Sequence, residues 1–191
     1  MDISAVPGMQ QKMLIERNKI AISGKSGCGN TTVGRLVAER TGLQFINFTF
    51  RNLAAEHNIS FEEVLKKAAQ DDFWDREIDT RQVLMARQSK KGCVLGSRLA
   101  IWMLEEAALK VYLKADAKTR VMRIISREGG DLKTVTEFTA ERDRQDSERY
   151  RRLYGIDNDD YSVANMVIDA ETASPEEIAG RITAEWRRIS N

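Results

Sequence analysis

Glycines and hydroxyl side chains that could bind phosphate lie close together in the segment Lys19 to Thr32, KIAISGKSGCGNTT. Apolar and β-favouring residues predict a strand over Lys19 to Ser23, and three glycines and a Thr-Thr pair follow it. Glycines let successive backbone N–H groups point inward, and a helix that begins at the Thr pair adds its positive N-terminal end. The segment is therefore predicted to form a strand, a phosphate-binding loop and a helix.

One position of this loop departs from the pattern G-x-x-x-x-G-K-[ST]. Gly24, Gly29 and Thr31 match the pattern, but Asn30 stands at the lysine position. An asparagine amide can donate a hydrogen bond but brings no charge to the phosphates. Lys25 is the nearest cation, and we expect it to replace part of the missing charge. The alternative is a glycine-rich turn that binds nothing, but the strand, glycines and threonines together favour phosphate binding.

Arginines that could bind a second anion occur elsewhere in the chain. Arg51 and Arg98 follow the second and third predicted strands, at the sheet edge where ligands of this architecture bind. Arg142, Asp146 and Arg149 are spaced by four and three residues and so share one face of a predicted helix. An acid between two arginines could order them for an anion. Charge patterning alone favours the alternative, a solvated surface helix with salt bridges.

A second pair of arginines, Arg123 and Arg127, lies one helical turn apart and just before Gly129 and Gly130. A double glycine is a natural hinge between two helices. These arginines would therefore travel with any flap that closes over the loop.

Composition limits the class of protein. The chain has 191 residues, which suits one α/β domain with a real core. A net charge of +1 with 31% charged residues gives no global field for DNA, RNA or a membrane surface. Two cysteines that are not spaced as a metal pair, in a chain without a recognisable secretion signal, predict a cytoplasmic protein. Cys28 is expected to fill a tight turn rather than to act as a redox thiol, and His57 to end a helix rather than to catalyse.

Strands and helices are predicted to alternate along the chain. Strands are expected at 19–23, 43–48, 93–96, 109–113 and 166–169, and helices at 32–40, 50–87 with a break near 57–58, 98–104, 117–128, 132–154 and from 174 onward. Five strands alternating with helices predict an α/β fold whose parallel sheet is doubly wound by helices. Residues 1–18 are expected to form an N-terminal arm, and residues 19–191 a single domain.

The motifs in combination resemble those of cytidylate kinases, particularly their short archaeal branch. The matching stretches are GKSGCGNTTVGRLVAERTGL, FRNLAAE, DREIDTRQ, SRLAIWM and ERDRQDSERYRRLYGID, within residues 19 to 185. The resemblance implies a P-loop NTPase fold with a helical insert for the nucleoside monophosphate (NMP) at about 47–88 and a lid at about 123–150. It implies magnesium-dependent phosphoryl transfer from ATP to CMP or dCMP.

The resemblance also assigns roles to residues. It implies that Arg51, Arg98 and Arg149 hold the acceptor monophosphate, that Arg142 and Asp146 lie near its sugar, and that Arg123 and Arg127 contact the donor phosphates. The donor loop would comprise Gly24, Lys25, Ser26, Gly27, Cys28, Gly29, Asn30, Thr31 and Thr32, with Thr31 on magnesium. Of these, Lys25, Arg123, Arg127 and Arg149 are the expected catalytic residues.

The chain departs from the family pattern in ways that keep alternatives open. Neither Gly96 nor Ser97 is the acid that related kinases carry after strand three, and Leu99 stands where the bacterial branch has an aspartate that reads cytosine. A nucleotide-binding module with weakened catalysis and a kinase for another small phosphate acceptor are the alternatives. RNA binding through the polar helix is less favoured, because no aromatic stacking platform accompanies it. We expect a monomer that binds small nucleotides and neither nucleic acid nor membrane.

Overall fold

The computed structural model describes residues 18–68 and 70–190, so the predicted N-terminal arm lies outside it except for its last residue. A parallel five-stranded sheet forms the centre, in the order β2-β3-β1-β4-β5. The strands are β1 (Lys19–Ser23), β2 (Gln44–Ile46), β3 (Cys93–Gly96), β4 (Leu109–Lys114) and β5 (Met166–Asp169). Because all strands run the same way, their carboxyl ends meet at one edge of the sheet.

Helices connect the strands and cover both faces of the sheet. They are α1 (Asn30–Thr41), α2 (Phe50–His57), α3 (Phe61–Ala68), α4 (Phe73–Gln88), α5 (Ala100–Met103), α6 (Ala117–Glu128), α7 (Leu132–Tyr154) and α8 (Pro175–Ser190). Every residue of β1 is buried, since Ile20 and Ile22 belong to the apolar cluster that includes α1 and α8, whereas Ala21 belongs to the cluster that includes α4 and α5. The predicted doubly wound α/β fold is therefore confirmed.

The helical insert between β2 and β3 is divided more finely than the sequence predicts. The predicted break is present at Asn58, whose φ of 53° ends α2 in the left-handed conformation. A second break, which the sequence analysis missed, separates α3 from α4. The Asp71 carboxylate accepts a hydrogen bond from the Phe73 amide at 2.9 Å, so this acid competes for backbone donors just before α4 begins. Strand β2 is also shorter than predicted.

Helices α6 and α7 meet at the predicted double glycine. Gly129 and Gly130 have φ values of 79° and 106°, which few other residues adopt. Asp116 caps α6 through the Thr119 amide at 2.6 Å, and Asp131 caps α7 in the same way. The turn between the two helices is thus fixed by local backbone chemistry. Among the described helices, none is long and apolar enough to cross a membrane.

Candidate active site

The loop between β1 and α1 packs tightly at its start and at its tip. A Cβ on Gly24 would lie 2.5 Å from the Leu113 carbonyl oxygen, so only glycine fits against β4 there. Gly27 and Gly29 adopt φ values of 87° and 100°. The Val33 amide donates to the Gly29 carbonyl oxygen in the first turn of α1, so this amide is not available to a ligand. The predicted strand, glycine loop and helix are all present. The loop leads directly into the N-terminal, positive end of α1.

Asn30 bridges the two ends of this loop. Its Nδ2 donates to the Gly24 carbonyl oxygen at 2.6 Å, while its Oδ1 is buried without a partner in the described part of the chain. The side chain at the lysine position therefore braces the loop by a neutral hydrogen bond and adds no charge.

Lys25 carries the positive charge of the loop. Its Nζ lies 2.6 Å from Oδ1 of Asp159, which follows α7, and its side chain is 25% exposed. Lys19 is different, because it is buried within β1 and pairs with Glu106 at 3.5 Å. Of these two lysines, only Lys25 lies where a ligand of the loop could displace its partner.

Cys28 and His57 have the structural positions that the sequence predicts. Cys28 is 3% exposed, and burial raises the pKa of its thiol, which makes it a packing residue of the loop rather than a reactive thiolate. His57 is the last residue of α2 and contacts the edge of the Trp74 ring, with 5.1 Å between ring centroids.

A buried carboxylate orders two arginines from different elements. Asp146 of α7 is 5% exposed, binds the guanidinium of Arg98, and accepts a bond from Nη2 of Arg149 at 2.5 Å. Nε of Arg149 also lies 3.2 Å from Oδ1 of Asp75 on α4. This face of α7 is packed and not solvated. Exposed ion pairs of the expected surface kind lie instead around Arg144.

Two further predicted arginines have no carboxylate partner within the described ranges. Arg142, near Arg98, has its pKa lowered, first by the positive charge of Arg98 and then by burial. Arg51 stacks over the Phe61 ring at 4.4 Å. Repulsion between neighbouring guanidinium groups is relieved when an anion binds between them, so the pair of Arg98 and Arg142 favours an anion.

Two acids on α4 were missed by the sequence analysis. Asp75 is 7% exposed, burial raises its pKa, and its Oδ2 has no partner in the described part of the chain. Asp79, one turn further on, accepts a hydrogen bond from the Tyr154 hydroxyl at 2.9 Å, and burial raises the pKa of Asp79 to about 6. Their spacing of four residues was visible in the sequence, but nothing there indicated that this face packs against α7.

The two arginines assigned to a lid have separate partners in this structure. Nη2 of Arg123 donates to the Ala170 carbonyl oxygen at 2.5 Å, and Arg127 is exposed and pairs with Glu128. Among the described residues, neither side chain has a hydrogen bond or ion pair to the loop, and their role at donor phosphates stays a prediction. Arg120, which the sequence analysis missed, does contact it: Nη1 donates to the Ser26 carbonyl oxygen at 3.1 Å.

The start of the loop and one arginine of the cluster line a small cleft. It is lined by Gly24, Lys25, Arg98, Tyr112, Asp143, Asp146 and Asn158. Leu99, in contrast, is 2% exposed and belongs to the interior, so its side chain does not face this cleft. The cleft thus places the start of the glycine loop beside Arg98 and the buried Asp146, an arrangement that suits transfer of a phosphoryl group between two phosphates.

Comparisons with known proteins show what the chain is similar to. A model of the cytidylate kinase-like family matches residues 19–172. Cytidylate kinase 2 of Borreliella burgdorferi is 47% identical over 164 residues, which cover 84% of this chain and 90% of that protein. Cytidylate kinase of Pyrococcus horikoshii is 36% identical over 167 residues, covering 86% of each chain.

Solved structures support the fold alone, because their identities are low. Shikimate kinase from Acinetobacter baumannii, in complex with shikimate, has a TM-score of 0.62 at 18% identity and covers 93% of this chain and 97% of its own. Deoxyadenosine kinase from M. mycoides, with bound dATP, has a TM-score of 0.56 at 17% identity, with coverages of 88% and 99%.

The raised pKa of Asp79 predicts a pH-dependent stability. An acid whose pKa is about 6 when folded, against about 3.9 when unfolded, costs stability as pH rises through that interval. Asp79→Asn should therefore raise the free energy of unfolding by about 1 kcal/mol at pH 7 and by nothing near pH 4. Urea unfolding across this range measures it, with exposed Glu137→Gln as the control. An equal gain at every pH would contradict the explanation.

Proposed function

The chain belongs to the cytidylate kinase-like family, and we propose that it transfers a phosphoryl group from ATP to CMP or dCMP, giving ADP and CDP or dCDP. The observation that carries this proposal is the small cleft in which Gly24 and Lys25 of the glycine loop lie beside Arg98 and Asp146, the carboxylate that also binds Arg149. One side suits the donor triphosphate and the other suits the acceptor monophosphate. The two relatives described above are named cytidylate kinases, and they give no support to a binding module that has lost turnover.

The donor phosphates bind the loop from Gly24 to Thr32. Its backbone N–H groups and the N-terminal end of α1 supply hydrogen bonds and partial positive charge. Lys25 supplies the full charge once it leaves Asp159 for the phosphates, while Asn30 keeps the ends of the loop together. The positive charge of the usual lysine, at the position of Asn30, is thus supplied by Lys25 at the start of the loop.

A magnesium ion fits this donor site as a partner of the phosphates. The Thr31 hydroxyl, at the start of α1, accepts one hydrogen bond from Asn47 at 3.2 Å and retains a second lone pair for a metal. The described residues contain no cluster of three or more potential metal ligands. Mg²⁺ commonly takes most of its ligands from phosphates and water, so one protein oxygen is sufficient. Bound there, the ion neutralises charge on the transferring group.

The acceptor monophosphate binds the arginine cluster. Arg98 and Arg149 are held in position by Asp146 and exchange this carboxylate for the phosphate, while Arg51 approaches from α2. Arg142 and Asp146 lie beside the sugar. Phosphoryl transfer needs alignment and neutralisation of equatorial oxygens more than covalent participation, and guanidinium groups provide both.

We place this reaction in the cytoplasm and assign it to a monomer, with small nucleotides as the ligands. Both cysteines are free and buried, which agrees with a reducing compartment.

The acceptor is identified by measuring ADP formation from ATP with CMP, dCMP, UMP and AMP supplied separately. We expect turnover with CMP or dCMP to exceed that with UMP and AMP. Turnover with none of the four, in a protein that unfolds cooperatively, would refute the proposed function.

Truncation of either acceptor arginine should weaken the use of CMP. Arg98→Ala and Arg149→Ala each remove a charge-assisted bond of about 1.5–3 kcal/mol, which is roughly one to two powers of ten in kcat/KM. Because both act on one phosphate, their effects in the double variant should not add. ATP binding should be retained. Arg151→Ala is the matched control, since Arg151 is exposed and pairs with Asp157 at 2.8 Å. Equal losses of kcat/KM in all three variants would show that the acceptor phosphate binds elsewhere.

Lys25→Ala should lower turnover with ATP by about tenfold, because the loop then has no full positive charge of its own. Lys118→Ala, an exposed lysine on α6, provides the control. Lys19 is unsuitable, since its truncation would leave Glu106 with one cation fewer next to the core. If Lys25→Ala and Lys118→Ala were equally active, Lys25 would have no part in phosphate binding.

A further inference from the structure

A buried guanidinium joins the donor loop to both helices of the α6–α7 hairpin. Arg120 is 5% exposed, and its Nη1 donates to the Ser26 carbonyl oxygen at 3.1 Å. Nη1 and Nη2 also donate to the two carboxylate oxygens of Asp143 on α7, at 3.2 and 2.6 Å. The backbones touch as well: a Cβ on Gly27 would lie 2.9 Å from both Cβ and the carbonyl oxygen of Arg120. The tip of the loop therefore rests directly on α6.

The contact with Ser26 sets the direction of the next amide. All described peptide bonds are trans, and a trans peptide points its C=O and N–H in opposite directions. With the Ser26 carbonyl held towards Arg120, the Gly27 N–H must point away from α6. This N–H has no acceptor among the described residues. An unpaired N–H in a glycine loop before a helix is the donor that a phosphate oxygen binds.

Asp143 keeps Arg120 in place. A bidentate carboxylate fixes the plane of a guanidinium group, and a group fixed in this way loses less freedom for each further bond that it makes. Asp143 also lines the cleft and lies one turn before Asp146, which orders the arginines of the acceptor cluster. The Arg120 guanidinium thus connects the donor loop to α7, the helix that carries Arg142, Asp146 and Arg149.

We propose that Arg120 is a positioning residue for the donor phosphates: it orients the Gly27 N–H through the Ser26 carbonyl, and Asp143 holds it in position. We call Arg120, Asp143 and the Ser26 carbonyl the loop clamp. This inference rests on the proposed function for the identity of the donor. If the pair of charges served only to join α6 to α7, its loss would affect stability and both nucleotides alike. The loop clamp instead predicts a loss confined to the triphosphate.

The experiment compares ATP and CMP binding, each titrated alone by calorimetry, in Asp143→Asn and Arg120→Lys. Asparagine keeps the size of Asp143 but cannot accept two bonds from a guanidinium group, and lysine keeps the charge but cannot bind Asp143 and Ser26 in the same geometry. We expect the Kd for ATP to rise about tenfold in each variant, as for one lost hydrogen bond to a charged group, and the Kd for CMP to stay within about twofold. Glu141→Gln is the control, because Glu141 is exposed on α7 and pairs with Arg144 at 2.6 Å.

Two outcomes would overturn the loop clamp: equal weakening of ATP and CMP, or unchanged ATP binding with a lowered melting temperature. If Arg120→Lys fails to fold, Asp143→Asn decides the matter alone. Binding is measured without turnover, so a wild-type protein that binds ATP but phosphorylates no CMP would refute the proposed function, and the ATP comparison would still test the clamp. A wild-type protein that does not bind ATP would refute both.

Discussion

Positive charge concentrated at one edge of a parallel sheet is the constraint on which the rest of the site depends. Arg98 follows β3, Arg142 and Arg149 project from α7, and such groups repel one another when they are partly removed from water. Asp146 and Asp75 balance them, at the cost of two buried carboxylates. These acids offset the repulsion in the absence of a ligand. The cluster still favours an anion, since Arg142 has no ion pair with an acid among the described residues.

In the donor loop, one side chain holds the backbone in shape and another supplies the positive charge. A lysine after the last glycine would serve both purposes, whereas here Asn30 supplies only a brace and Lys25 only a charge. The backbone of the loop is positioned from outside by Arg120 and by contact with β4 at Gly24. Much of what organises the loop thus lies in other parts of the chain.

The sequence predicted those features that depend on neighbouring residues and missed those that depend on tertiary packing. The strands, the helix break near Asn58 and the break between α6 and α7 at the double glycine follow from local patterns, and all were predicted. The partners of Asp75 and Arg120 lie 74 and 23 residues away along the chain, respectively, so their spacing carries no signal. Charge patterning even favoured a solvated face for Asp146, because a pattern of charges does not show which face of a helix another helix covers.

If Lys25 binds the donor phosphates as we propose, its ion pair with Asp159 has a consequence for the rate of product release. A nucleotide that recruits Lys25 must first separate it from Asp159, so it gains only the difference between two ion pairs. When the nucleotide departs, Asp159 is again close enough to pair with the lysine. An acid tethered in this way competes equally with substrate and product, which limits their residence times on the loop. The same aspartate would therefore shorten the time for which the product ADP stays bound.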